Sequence, residues 1–330
     1  TRMGVYTQVS AEEVEDLRLR YDAGELGALK GIAEGVENSN YMLETDRGKF
    51  FLTLYEKRTN PADLPYFHDM LAHVHRAGCK VPRFIEDREG QWLQKIAGRN
   101  GCLIEFLSGV SVSHPEPKQA EAVGRSLGQL HNALSDFASV RPNPLGLAEW
   151  QSLFERCDRV QSEQLMPGLS ERLSEEFEFL QANWPHHLPV SAIHADLFPD
   201  NVLLLHGQVS GLIDFYFACS EIRAYDLAVT HSAWAFSDDG AHYHPEIGAA
   251  LVKGYAGEHP ISEAEIQALP ILARGACTRF LLTRLFDWIN TDENAVVMRK
   301  DPLAFLRRLE FYREAGPDIW AAALETGHGA

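Results

Sequence analysis

The segment from Ile193 to Phe215 constrains this chain more than any other. It reads Ile193-His194-Ala195-Asp196-Leu197-Phe198-Pro199-Asp200-Asn201, continues through the apolar Val202-Leu203-Leu204, turns at His206-Gly207-Gln208, and returns through Gly211-Leu212-Ile213 to Asp214. Two short apolar runs around a glycine-containing turn read as a hairpin. That hairpin carries Asp214 back beside the loop that holds Asp196 and Asn201. Each of these polar residues alone is an ordinary loop or turn residue. At this spacing, two carboxylates and an amide converge.

Phosphoryl transfer from ATP needs what this loop offers: a carboxylate to orient and deprotonate an attacking hydroxyl, and oxygen ligands for Mg2+ on the phosphates. Asp196 is the candidate base. Asn201 offers the metal a carbonyl oxygen, and Asp214 offers a carboxylate. His194 is assigned to loop support, because a buried imidazole can bond backbone groups and the reaction already has its carboxylate. Asp226, in Tyr225-Asp226-Leu227-Ala228, opens a helix, where it can cap the N-terminus or bond the backbone of the loop.

At 330 residues the chain exceeds the usual size of a single core, so two lobes are expected. Its net charge of −17, without any block of Lys or Arg, argues against a nucleic-acid partner. A nucleotide site on so acidic a chain must supply its own cations, most simply a bound metal. Five scattered cysteines without a C-x-x-C pair fit a reducing compartment. There is no apolar run of signal-peptide length, and no window reaches the roughly 18 uncharged residues of a membrane helix. The expectation is a soluble cytoplasmic protein that does not engage membranes. Nothing in the pattern sets an oligomeric state.

Residues 11–21 read as a short amphipathic helix. Strand-like runs follow at 40–43, 50–55, 81–87, 91–96 and 102–107, and Leu64, Phe67, Met70, Leu71 and Val74 recur at helical spacing between Asp63 and Ala77. Helical periodicity dominates residues 117–134, 150–184 and 223 onward. The expected fold class is α+β: a five-stranded, mostly antiparallel sheet with a helix, then a larger and mainly helical lobe. Residues 1–107 form the expected nucleotide-binding lobe, and 108–330 the catalytic and substrate-binding lobe.

The His-x-Asp-x-x-x-x-Asn loop and later Asp resemble the aminoglycoside phosphotransferase and choline kinase superfamily, which has the protein-kinase-like fold. Lys30 to Tyr41, Gly211 to Cys219, Ala224 to Ala228 and Ala273 to Leu285 look more narrowly like the second type of homoserine kinase. That resemblance spans nearly the whole chain. It implies transfer of the ATP γ-phosphate to the hydroxyl of L-homoserine, giving O-phosphohomoserine for threonine synthesis. It also implies nucleotide contacts at Gly35, Asn38, Ser39 and Asn40, and at Glu105 and Leu107 where related kinases bond adenine.

The strand lysine usual in such kinases is replaced by Thr53, which these homoserine kinases resemble in this respect. The helix offers Asp69 instead of a glutamate. Lys30, Lys49 and Lys57 remain as phosphate partners. For a zwitterionic acceptor, Arg279 and Arg284 on the C-terminal helix suit a carboxylate, and Tyr216 can line the site. Two alternatives stay open: a kinase for another small alcohol such as choline or an amino sugar, and a nucleotide-binding pseudokinase scaffold.

Overall fold

The structure is a computed structural model that describes residues 7–32, 38–292 and 298–325. The chain divides into two compact units, residues 1–108 and 109–330.

The N-terminal unit opens with α1 (Ala11–Arg18), whose start is fixed by a capping box between Ser10 and Glu13. Five strands follow: β1 (Leu26–Gly31), β2 (Asn38–Thr45), β3 (Gly48–Tyr55), β4 (Gln94–Ile96) and β5 (Arg99–Glu105). They form one sheet in the order β1-β2-β3-β5-β4, with every neighbouring pair antiparallel. Tyr41, Leu43, Leu52 and Leu54 face a core shared with Val14 and Leu17 of α1. α2 (Leu64–Arg76) buries the apolar residues its periodicity marks, and each contributes about 1.5–3 kcal/mol of burial.

The expected strand at Val81–Asp87 does not form. Ile85 N–H bonds Leu103 O and Glu105 N–H bonds Arg83 O, with one isolated bridge at Phe84. Pro82 has no N–H, and β4 already occupies the start of that edge of β5, so only a short irregular contact remains. β1 supplies the fifth strand instead. The β4–β5 turn is also tighter than expected. Ala97 and Gly98 both have positive φ (49° and 73°), the two-residue geometry that matches strand twist, so β5 begins at Arg99, three residues before Cys102.

The C-terminal unit contains α3 (Pro117–Leu134), α4 (Leu147–Glu155), α5 (Arg159–Leu165) and α6 (Leu169–Asn183). Next come β6 (Val190–Ile193), β7 (Val202–Leu205), β8 (Gln208–Leu212) and β9 (Cys219–Ile222). It ends with α7 (Arg223–Trp234), α8 (Pro245–Glu258), α9 (Glu263–Asn290), α10 (Leu303–Ala315) and α11 (Asp318–Glu325). β6 pairs with β9 and β7 with β8, both antiparallel. α3 and α8 pack backbone to backbone: a Cβ on Gly124 would lie 2.0 Å from Leu251 O, and one on Gly254 2.1 Å from Glu121 O. Among the described residues, no helix is long and apolar enough to cross a membrane. All five cysteines are free thiols.

Candidate active site

The loop between β6 and β7 is gripped by buried charge. Asp226, in the first turn of α7, is fully buried; its Oδ2 accepts the His194 N–H at 2.9 Å and its Oδ1 the Ala195 N–H at 2.8 Å. His131 of α3 places Nε2 at 2.8 Å from the same carboxylate, and its Nδ1 lies 2.6 Å from Tyr255 Oη. Burial alone would raise the Asp226 pKa; the hydrogen bonds from the His131 side chain and the His194 backbone N–H oppose it, and the carboxyl is held below its ordinary range.

Arg279, only 2% exposed, donates Nη1 to the carbonyl of Ala195. Ala195 has φ 66°, a region costly for a residue with a Cβ, and it is held at N–H and C=O by opposite charges. Trp234 is buried and donates its indole N–H to Leu197 O at 2.8 Å.

His194 is fully buried, with its ring edge-on to Phe215 at 4.6 Å. Its Nδ1 accepts the Asp196 N–H at 3.1 Å, so Nε2 carries the proton and donates to Ile213 O at 2.9 Å. Burial pushes its pKa down. The neutral ring has no lone pair left for proton transfer, and it ties Asp196 to the residue before Asp214.

Asn201 is 7% exposed and commits Nδ2 to Asp196, at 2.8 Å to the carbonyl and 3.2 Å to Oδ2. Its Oδ1 is thereby the end left to bind a cation. Asp214 is exposed at φ 59°. The carboxyl of Asp196 is pushed well above the ordinary aspartate range, chiefly by burial, with Arg279 opposing and Asp214 and Asp200 adding to the shift. A carboxylate made more basic in this way is suited to take a proton. Among the described residues, no three His, Cys, Asp or Glu side chains gather into a metal cage.

The N-terminal candidates are placed differently. Asn38, Ser39 and Asn40 lie on β2, and Thr53 lies opposite Asn40 on β3, with Thr53 Oγ1 donating to Asn40 Oδ1 at 2.8 Å. Asn38 Oδ1 accepts from Thr59 Oγ1 at 3.1 Å, and Ser39 Oγ donates to Glu56 at 2.6 Å. These bonds stay within the unit. Gly35 lies outside the described residues. Asp69 is exposed, with Oδ1 at 3.0 Å from His68 Nδ1. Glu105, at the end of β5, is held by Arg83 through two side-chain bonds and a backbone N–H. Leu107 and Tyr216 are half-buried. Arg284 lies on α9 with one hydrogen bond among the described residues, from Nη1 to Asp301 O at 3.3 Å.

His131 and Tyr255 were invisible to sequence reasoning. The one available signal was a histidine on the apolar face of a strongly amphipathic helix, which is ordinarily a satisfied core residue.

A five-stranded antiparallel unit followed by a helical unit carrying such a loop is the architecture of a phosphotransferase with the protein-kinase-like fold. Residues 28–261 match the phosphotransferase enzyme family. The chain is 46% identical over 312 residues to a homoserine kinase of Rhizobium johnstonii, covering 94% of this chain and 97% of that one. It is 48% identical over 311 residues to a homoserine kinase of Xanthobacter autotrophicus, covering 94% and 96%. The chain belongs to the phosphotransferase enzyme family and, within it, to the homoserine kinases. Solved structures with the same fold include an amicoumacin kinase in complex with AMP-PNP and Ca2+ (TM-score 0.71, 14% identity, 92% and 93% coverage). A choline/ethanolamine kinase family protein from Mesorhizobium loti matches at TM-score 0.66, with 17% identity and 96% and 100% coverage.

Proposed function

We propose that this chain transfers the γ-phosphate of ATP to the side-chain hydroxyl of L-homoserine, giving O-phospho-L-homoserine for threonine biosynthesis in the cytoplasm. The observation that carries the reading is identity of 46–48% to homoserine kinases across 94% of the chain. The grip on Asp196 supports it. In the reaction, the hydroxyl proton passes to Asp196 Oδ, the side-chain oxygen bonds the γ-phosphorus, and the bond from that phosphorus to the β,γ-bridging oxygen breaks to release ADP.

Asp226, His131 and His194 hold the loop so that Asp196 does not need to be ordered at the moment of reaction. Mg2+ fits the donors present: Asn201 Oδ1 and the Asp214 carboxylate are hard oxygens too few for a protein cage, which suits an ion that shares its shell with phosphates. When bound, the ion neutralises phosphate charge. The N-terminal unit is the proposed nucleotide-binding lobe, with Asn38, Ser39, Asn40, Thr53 and the backbone of Glu105 and Leu107 as its contacts.

The test is coupled ADP release with L-homoserine, choline and an aminoglycoside, each with and without Mg2+. Selective, Mg2+-dependent turnover of L-homoserine is expected. Preference for either other acceptor, or ADP release indifferent to all three, overturns the reading.

A further inference from the structure

In the C-terminal unit, Arg279, Arg284 and Arg308 are drawn out of solvent without an ion pair to any carboxylate among the described residues, unlike the exposed Arg156 and Arg159, which also lack one. The contrast within one helix is sharp, since Arg274, also on α9, pairs with the buried Glu176 at 2.7 Å. In a chain of net charge −17, an arginine withheld from acids is withheld for a reason. Arg279 has its reason in the strained carbonyl of Ala195.

Arg284 and Arg308 share a different one. Their guanidinium groups both pack on the ring of Phe305, with centroid distances of 4.6 and 4.3 Å. Phe305 is fully buried and packs against Phe280 at 5.2 Å and against Phe198 of the catalytic loop at 6.0 Å. Two positive charges therefore flank one ring that touches the loop carrying Asp196. Arg308 is 4% exposed, bonded to Ala304 O and Ser237 O, and its buried Nε has no partner. Arg284 is half-buried, and its one hydrogen bond among the described residues goes to a backbone carbonyl. The nearby Asp301 carboxylate is spent on Leu303 N–H at 2.9 Å and Arg307 at 3.3 Å. Burial, and then Arg308, push the Arg284 pKa down to about 10, while Asp301, Asp200 and Asp238 act in the opposite direction. A desolvated cation with donors to spare, beside a second cation and paired with none of the acids near it, suits a ligand that brings its own carboxylate.

We propose that Arg284 receives the α-carboxylate of the acceptor amino acid, with Arg308 behind it supplying positive potential, and that this contact selects a small hydroxy amino acid over a plain amino alcohol. The assignment rests on the homoserine reading. It separates two roles on α9, with Arg279 as a positioning residue for the loop and Arg284 as the specificity residue.

The experiment compares L-homoserine with 3-aminopropan-1-ol, the same acceptor without its carboxylate, for the wild type, Arg284→Met, Arg284→Lys and Arg279→Met. Wild type should prefer L-homoserine by roughly a thousandfold in kcat/KM. Arg284→Met should lose most of that factor on L-homoserine, chiefly through KM, with less than about a threefold change on 3-aminopropan-1-ol, so the preference collapses. Arg284→Lys should recover part of it as a point charge without the bidentate fork, and it carries the test if the Met variant does not fold. Arg279→Met should lower kcat equally on both acceptors. An Arg284 variant that loses both acceptors equally, or neither, overturns the assignment and leaves the homoserine reading standing. A wild type that turns over neither acceptor overturns both.

Discussion

The two polar clusters of the molecule are held by different means. In the N-terminal unit, Thr53 bonds Asn40 while Asn38 and Ser39 bond Thr59 and Glu56, mostly short side chains on strands whose backbone the ladder already fixes. The loop that carries Asp196 has no ladder. Residues 194–201 run between β6 and β7 through a left-handed Ala195, and buried Asp226 and Arg279 impose that path. Strand residues need little help from side chains to stay in place. A strained loop is only as fixed as the charges that grip it.

The sharpest way to break this contrast is at its chemical centre. Asp196→Asn should lower kcat by roughly 10³-fold with little change in ATP affinity, read from steady-state kinetics and nucleotide titration. Asp214→Ala should spoil both. Equal, mild effects from the two would remove the division of roles.

Next comes the grip. Asp226→Ala strands two loop N–H groups and His131, so urea unfolding should show a loss of about 3–5 kcal/mol, with kcat falling as well. A loss below 1 kcal/mol, on the order of a surface residue, would show that the loop holds itself.

Acid should separate the two units. The fully buried histidines among the described residues, His131, His194 and His231, all lie in the C-terminal unit. Burial lowers the His231 pKa from 6.5 to about 3, so on acidification the unfolded chain takes up its proton first. Stability from this group is complete above the unfolded value and declines as pH falls toward the folded one, by about 1.4 kcal/mol per pH unit. His231→Phe should flatten that slope in denaturation curves between pH 6 and pH 4, whatever it does at neutral pH. An unchanged slope would exclude His231 as the source.

The smallest effect belongs to the sheet. Thr53→Ala removes one neutral hydrogen bond and should cost about 0.5–1.5 kcal/mol, with at most a several-fold rise in KM for ATP. A loss as large as that of Asp226→Ala would erase the distinction between the clusters.

Much of this was legible in the residues. The spacing from His194 through Asn201 to Asp214 is short and local, so a turn at His206-Gly207 suffices to bring its parts together. α3 runs over residues 117–134 as its periodicity reads, and Gly78 at φ 94° follows the end of α2. Val81–Asp87 read as a strand because its apolar content is strand-like, but whether a run becomes a strand depends on a free neighbouring edge.

By itself the sequence determined the reaction class and the local order of the loop, because chemistry of this kind needs particular groups at short separations. Tertiary structure alone decided which arginine grips Ala195 and which stands unpaired beside Phe305, and it placed His131 under a carboxylate 95 residues away in sequence. Arg279 and Arg284 have the same side chain on the same helix. What separates them is the packing of distant segments around each, and that sets desolvation and partners without leaving any local trace.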